Sequence, residues 1–136
     1  MRRVKLLFFL SLLGIQTCKT QTSIIKGVSF VASRDAINES HITPVINLNA
    51  NYAAVMPFGF IKDLAEPDIV FDAERQWFGE TKDGAKHYIK ELQGQCIKIM
   101  LKPQIWVWRG AFTGFIEMKN EEDRNRLEMS YSKFIL

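Results

Sequence analysis

The segment CIKIMLK, Cys96–Lys102, is nearly apolar throughout. A strand of this composition is suited to burial on both faces, which is typical of a parallel sheet. The Lys-Pro pair at its end predicts that the strand stops at Lys102. Trp106, Trp108 and Arg109 follow within a few residues. The segment therefore predicts a buried strand whose C-terminal end is followed by aromatic and cationic side chains.

Two further strands and three helices are predicted around this segment. The strands cover residues 24–33 and about 52–57, and the helices cover 41–50, 81–95 and 120–136. Thr81 caps the second helix, Gly94 ends it, and Pro44 fits only the first turn of the first helix. The predicted buried faces are Ile42, Val45 and Ile46; Ala85, Tyr88, Ile89 and Leu92; and Leu127, Tyr131, Phe134 and Ile135.

The order β-α-β-α-β-α predicts an α/β fold with a parallel sheet and right-handed crossovers. The connections that leave the strand C-terminal ends, 58–80 and 103–119, are long, whereas the turns back into the strands are short. Active sites of (β/α)8 barrels are built from such loops. A partial (β/α)8 barrel is therefore favoured, although doubly wound sheets follow the same rule.

Side chains alternate across a strand, so Lys98, Met100 and Lys102 share one side of the third strand. The opposite side is apolar and suits the helices, which directs Lys102 toward the mouth of the barrel. Aromatic rings beside long cationic donors suit a sugar, whose C–H faces stack on rings while its hydroxyls accept hydrogen bonds. Candidate saccharide-binding residues are Lys102, Gln104, Trp106, Trp108 and Arg109, with Phe58, Phe60, Trp77 and Phe78 from the other long loop.

Two questions about the site stay open, one on the aromatic candidates and one on the residues after the first strand. The aromatic side chains can instead pack the two long loops against each other, because large loops need a small core of their own. Ser33, Arg34 and Asp35 follow the first strand and can reach the site, but an ordinary Arg-Asp surface pair explains them equally well.

The N-terminus has the order expected of a secretory signal peptide. Arg2, Arg3 and Lys5 precede the apolar run LLFFLSLLGI, which is too short to span a bilayer. We expect residues 1–22 to be the signal peptide and the protein to be exported to the periplasm, the cell surface or the medium. Cys18 is a possible lipid anchor, but the residues before it are bulky. Cys96 is most simply a buried thiol, and no internal disulfide is possible if Cys18 leaves with the signal.

Charge and residue counts indicate which classes of partner to expect. The net charge of +3 owes much to the first five residues and does not indicate nucleic acid binding. The two cysteines and two histidines have no zinc or redox spacing, so no metal and no cofactor is expected. The expected partner is a polysaccharide or oligosaccharide.

The sequence resembles the N-terminal part of glycoside hydrolase family 113. The similarity lies in KGVSFVAS (26–33), NANYAAVMPFGFI (49–61), RQWFGET (75–81) and IKIMLKPQIWVWRG (97–110). The resemblance implies a (β/α)8 fold, retaining hydrolysis of β-1,4-mannan, and saccharide-binding roles for Lys102, Trp108 and Arg109. Members often carry a histidine after the Lys-Pro, where this chain has Gln104.

No catalytic residue is predicted in this chain. Retaining glycosidases need two carboxyl groups about 5–5.5 Å apart, and the predicted strand ends VAS, MPF and LKP contain none. Glu80, beside Trp77, is the best remaining acid. A full barrel takes about 250 residues, against 136 here, so residues 23–136 predict an incomplete barrel without turnover. The alternatives are a non-catalytic carbohydrate-binding protein and an open sheet that oligomerises through its free edge.

Overall fold

The computed structural model describes residues 24–135. The predicted signal peptide, 1–22, and Cys18 lie outside the described residues. Five strands and three α-helices are present in the described part of the chain. The strands are β1 (Gly27–Phe30), β2 (Tyr52–Val55), β3 (Phe58–Ile61), β4 (Lys98–Leu101) and β5 (Gln104–Val107). The helices are α1 (Glu39–Asn47), α2 (Lys82–Gly94) and α3 (Glu121–Ile135), and short 3-10 turns cover Phe78–Glu80, Trp108–Gly110 and Thr113–Phe115.

All strand pairs are parallel, as predicted. The strand order is β1-β2-β4 in one sheet and β3-β5 in the other. Tyr52 pairs with Lys98 and Phe58 pairs with Gln104, so the two sheets keep the same register. β2 and β3 therefore run beside β4 and β5 as one long ladder with a break in the middle. The protein is a mixed α/β fold with short parallel strands.

β2 ends at Val55 and β4 at Leu101, close to Pro57 and Pro103 as predicted, but the prediction of irregular connections directly after them is wrong, because β3 and β5 follow. The backbone N–H of Lys102 donates to Val55 O at 2.9 Å, and that of Gln104 donates to Pro57 O at 2.9 Å. Even-numbered residues of β4 and β5 thus direct their N–H groups at the neighbouring strand. Odd-numbered residues face the unpaired edge of the sheet, so the missing N–H of Pro103 leaves no hydrogen bond of the ladder unmade. Pro57 removes one donor from the ladder, and pairing resumes beyond it.

One face of the ladder carries all three helices. Ala53 and Val55 form a buried cluster with residues of α1 and α2. Ile61 and Val107 form a second buried cluster with Phe134 of α3. These residues share one side because side chains alternate along a strand. The predicted placement of Ile97 and Ile99 toward the helices is confirmed.

The other face of the ladder is uncovered. We call it the open face, and none of its residues is fully buried. It consists of Gly27, Ser29, Tyr52, Ala54, Met56, Phe58, Phe60, Lys98, Met100, Lys102, Gln104 and Trp106. Six of these twelve side chains are aromatic or large and apolar, which is unusual for a surface that solvent reaches.

α2 begins and ends largely as predicted. Thr81 caps it through the N–H of Gly84 at 3.0 Å, and Gly94 is its last residue. Cys96 then takes the left-handed conformation, with φ 59°. Its N–H donates to Gln93 O, and that of Ile97 donates to Leu92 O, which is a Schellman motif. The prediction of a buried thiol within the strand is wrong, because Cys96 is exposed, precedes β4 and is not a free thiol.

Parts of α1 and α3 also differ from the predicted pattern. α1 begins earlier than predicted, so Pro44 lies inside the helix rather than in its first turn. Ile42 and Val45 are buried but Ile46 is exposed. In α3 only Phe134 is fully buried, while the predicted core residues Tyr131 and Ile135 are exposed. Within residues 24–135, no helix combines the length and the hydropathy needed to cross a bilayer.

Candidate functional site

Aromatic rings form two neighbouring pairs across β3, β5 and the turn that follows. Phe58 meets Trp106 edge to face at 6.0 Å between ring centroids, and Phe60 meets Trp108 at 5.9 Å. Phe58 and Phe60 stack on each other at 6.4 Å. The parallel register aligns these side chains, since Phe58 pairs with Gln104 and Phe60 with Trp106. A continuous aromatic patch therefore lies at the C-terminal end of the open face.

The backbone turns sharply after β5. Arg109 and Gly110 both adopt positive φ angles, 66° and 80°. Such a conformation is uncommon for any residue other than glycine, and two in succession change the direction of the chain within one step. Trp108 and Arg109 are thereby placed beside the strand end rather than along it.

Trp77 reaches the same region from the loop between β3 and α2. The side-chain amide of Gln76 donates to Phe58 O at 2.7 Å, which ties this loop to β3. The N–H groups of Phe78 and Gly79 donate to Arg34 O and Ser33 O after β1. The Arg34 guanidinium lies 5.4 Å from the centroid of the Trp77 ring. Arg34 therefore contacts an aromatic ring of the site, and it forms no ion pair with Asp35 among residues 24–135.

These elements enclose a cleft of about 420 Å³. It contains all three tryptophans of the chain, which are 43% (Trp77), 55% (Trp106) and 60% (Trp108) exposed. The cleft is lined by Phe60, Val70, Ala73, Arg75, Gln76, Trp77, Glu80, Trp106, Val107, Trp108, Arg109 and Gly110. Large rings left half exposed in a concave site are suited to a ligand with both apolar and polar surface.

A second, larger cavity of about 830 Å³ adjoins the cleft and shares Trp108 and Arg109 with it. Its other lining residues include Lys62, Asp63 and Leu64. The turn of Trp108 and Arg109 thus lies between two concave surfaces.

The cleft includes five of the nine predicted saccharide-binding residues, namely Phe60, Trp77, Trp106, Trp108 and Arg109. Phe58 lies behind it and contacts Trp106. Lys102 and Gln104 share the open face but do not line the cleft. Phe78, named with them, packs instead against the Tyr88 ring at 6.5 Å, next to the core.

Several cleft residues were missed by sequence reasoning, among them Val70 and Arg75. Val70 enters because it forms an antiparallel bridge with Phe60, whose N–H donates to Val70 O at 2.8 Å. No local pattern marks that pairing. Arg75 was detectable, because it lies two residues before Trp77 in the segment RQW.

Acidic groups near the cleft are turned toward the backbone. The Glu80 carboxylate accepts the N–H of Trp77 at 3.2 Å. The open face of the described chain carries no Asp or Glu side chain. Among residues 24–135, no group of three or more His, Cys, Asp or Glu side chains is arranged to hold a metal ion. The arrangement offers aromatic faces and cationic donors for binding.

No known family model matches this sequence, and no curated protein matches it either.

Proposed function

We propose that this protein binds a β-linked saccharide in the tryptophan cleft. The observation that carries the proposal is the convergence of all three tryptophans and Arg109, from two separate loops, on one concave surface. Pyranose rings have apolar C–H faces and polar edges. Exposed indole rings match the faces, and guanidinium and amide donors match the hydroxyls.

We further propose that residues 23–136 form the N-terminal portion of a (β/α)8 glycoside hydrolase similar to family 113. Three helices on one side of a parallel ladder and an uncovered face on the other side fit part of a barrel wall, with the open face as its interior. The cleft lies where the strands end, which is where barrel enzymes bind substrate. The proposed parent reaction is retaining hydrolysis of a β-linked polysaccharide, of which mannan is an example.

The chain alone is proposed to bind without hydrolysis. Retaining chemistry needs a nucleophile and an acid/base about 5–5.5 Å apart. Glu80, the carboxylate of the cleft, is engaged by a backbone N–H. The proposed location is outside the cytoplasm, on the basis of the signal-like residues 1–22, with lipidation at Cys18 as a less favoured option.

Calorimetric titration of the full chain with β-1,4-mannohexaose tests the binding proposal. Trp108→Ala is expected to weaken binding at least tenfold, equivalent to about 1.4 kcal/mol. Phe112→Ala is the matched control, because Phe112 is 67% exposed, follows the same turn and does not line the cleft. Equal loss in both variants, or no binding by the unmodified protein, would contradict the proposal.

A non-catalytic carbohydrate-binding protein is the second candidate, favoured by the engagement of Glu80 with the backbone. The nucleotide sequence downstream of codon 136 separates the two candidates. A continuing reading frame with more βα units and two glutamates at strand ends supports the hydrolase, and a stop codon supports the binding protein. Hydrolysis of mannan by the full chain, abolished by Glu80→Gln, would contradict both.

A further inference from the structure

We infer that the saccharide is acidic, and that Arg109 and Arg75 receive its negative charge. The inference rests on the proposed function, since it concerns the ligand of the same cleft. Both arginines line the cleft, and Arg109 also lines the adjoining cavity together with Lys62. Three cationic side chains therefore surround the two concave surfaces.

These cations have no partners within the described part of the chain. The side chains of Lys62, Arg75 and Arg109 make no hydrogen bond, ion pair or ring contact with residues 24–135. By contrast, Arg126 pairs with Asp68 on the surface of α3. Positive charge at the cleft is therefore available to a ligand.

The acids of the two cavities offset this charge only in part, because Lys62, Arg75 and Arg109 outnumber them in the linings. Glu80 accepts the N–H of Trp77, and Asp63 accepts the N–H of Ala65 at 3.0 Å. Both carboxylates are therefore engaged with their own loops. The two linings together carry three cations and two anions, and a concave surface with net positive charge attracts ligands of opposite charge.

The chemistry of the donors favours a carboxylate on the sugar. A guanidinium presents a planar pair of N–H donors that matches a carboxylate in two parallel hydrogen bonds. The indole rings beside it supply stacking for the pyranose ring. Poly-β-1,4-mannuronate combines the two features: it has the backbone of β-1,4-mannan with a carboxylate at C6 in place of the hydroxymethyl group.

The test compares β-1,4-mannohexaose with hexamannuronate of equal length, titrated into the full chain at low and high salt. We expect hexamannuronate to bind about tenfold more tightly at low salt and most of this preference to vanish in ~1 M NaCl, where the Debye length is about 3 Å. Arg109→Gln is expected to weaken the binding of both sugars, because Arg109 lines the cleft, but to weaken hexamannuronate binding more and so to remove most of the preference. Arg124→Gln, which removes an exposed cation of α3 outside both cavities, controls for net charge.

The outcomes separate this inference from the proposed function. Trp108-dependent binding of mannohexaose with no preference for hexamannuronate overturns the inference and leaves the function intact. Failure of both sugars overturns both. An equal effect of Arg109→Gln and Arg124→Gln overturns the inference, because the preference then reflects net charge. Equally tight binding of a hexathymidylate also overturns it, because the cleft would then be a general polyanion site.

Discussion

Replacing Gly84 with alanine is expected to destabilise the protein, although helix propensity alone predicts the opposite. Gly84 lies in the first turn of α2, where the chain folds back on the Phe78–Glu80 turn. A Cβ atom at Gly84 would lie 1.7 Å from Phe78 O and 2.5 Å from Phe78 C. The neighbouring atoms are backbone, so no side-chain rotation relieves the clash. The backbone must move by about 1.3 Å, to the 3.0 Å below which such contacts are not found.

The expected change in the free energy of unfolding is the difference between two opposing effects. Alanine in place of glycine favours a helix by about 1 kcal/mol. Overpacking costs ~1–3 kcal/mol, and the upper value applies because backbone meets backbone. We therefore expect a net loss of about 2 kcal/mol, or roughly 8 °C in Tm for a domain of this size. Sugar binding should weaken as well, because Trp77 and Glu80 flank the displaced Phe78.

Gly94→Ala is the matched control in the same helix. A Cβ atom at Gly94 meets nothing within 4 Å, so this variant should be unchanged or more stable by up to ~1 kcal/mol. Urea denaturation followed by far-UV circular dichroism measures both variants. If Gly84→Ala is as stable as Gly94→Ala, the close approach of α2 to the Phe78 turn is not real and the reasoning fails.

Three further changes probe the fold. Tyr88→Phe should cost ~1–3 kcal/mol in urea denaturation, because the buried Tyr88 hydroxyl lies 2.8 Å from Ser33 Oγ and accepts the Ser33 N–H at 3.1 Å; an unchanged midpoint would contradict this. Ser130→Ala should cost about 1 kcal/mol, since its hydroxyl accepts the N–H of Ile69 at 2.8 Å, and faster hydrogen exchange of that amide should accompany the loss. Pro103→Val restores an outward N–H at the edge of the sheet and should raise the self-associated fraction in light scattering; an unchanged mass distribution would show that the edge is already protected.

The parts of the fold that sequence predicted well depend on local periodicity. α2 has a capping threonine, an apolar stripe and a terminal glycine, and all three are visible along the chain. The alternation in residues 97–102 correctly separated the helix side of the sheet from the open face. Both signals are intrinsic to a segment, so they need no knowledge of its neighbours.

The predictions that failed concern features that are set by pairing with another segment of the chain rather than by the local sequence. A proline stops a strand only if its missing N–H leaves a ladder hydrogen bond unmade, and that depends on the register with the next strand. Pro103 faces the open edge, so β5 continues the line of β4 beyond it. Trp106 consequently lies within a strand rather than on a rim loop. Val70 lines the cleft because it forms an antiparallel β-bridge with Phe60, and no sequence spacing indicates that bridge.

The most direct test of the binding proposal is an ¹⁵N NMR titration of the full chain with β-1,4-mannohexaose, observed at the indole N–H groups. The chain has three tryptophans, and all three line the cleft. We expect all three indole signals to shift together and to saturate at the same sugar concentration, while backbone amides of α3 remain unchanged. Indole signals that stay in place at millimolar sugar, in a spectrum of a folded protein, would contradict it.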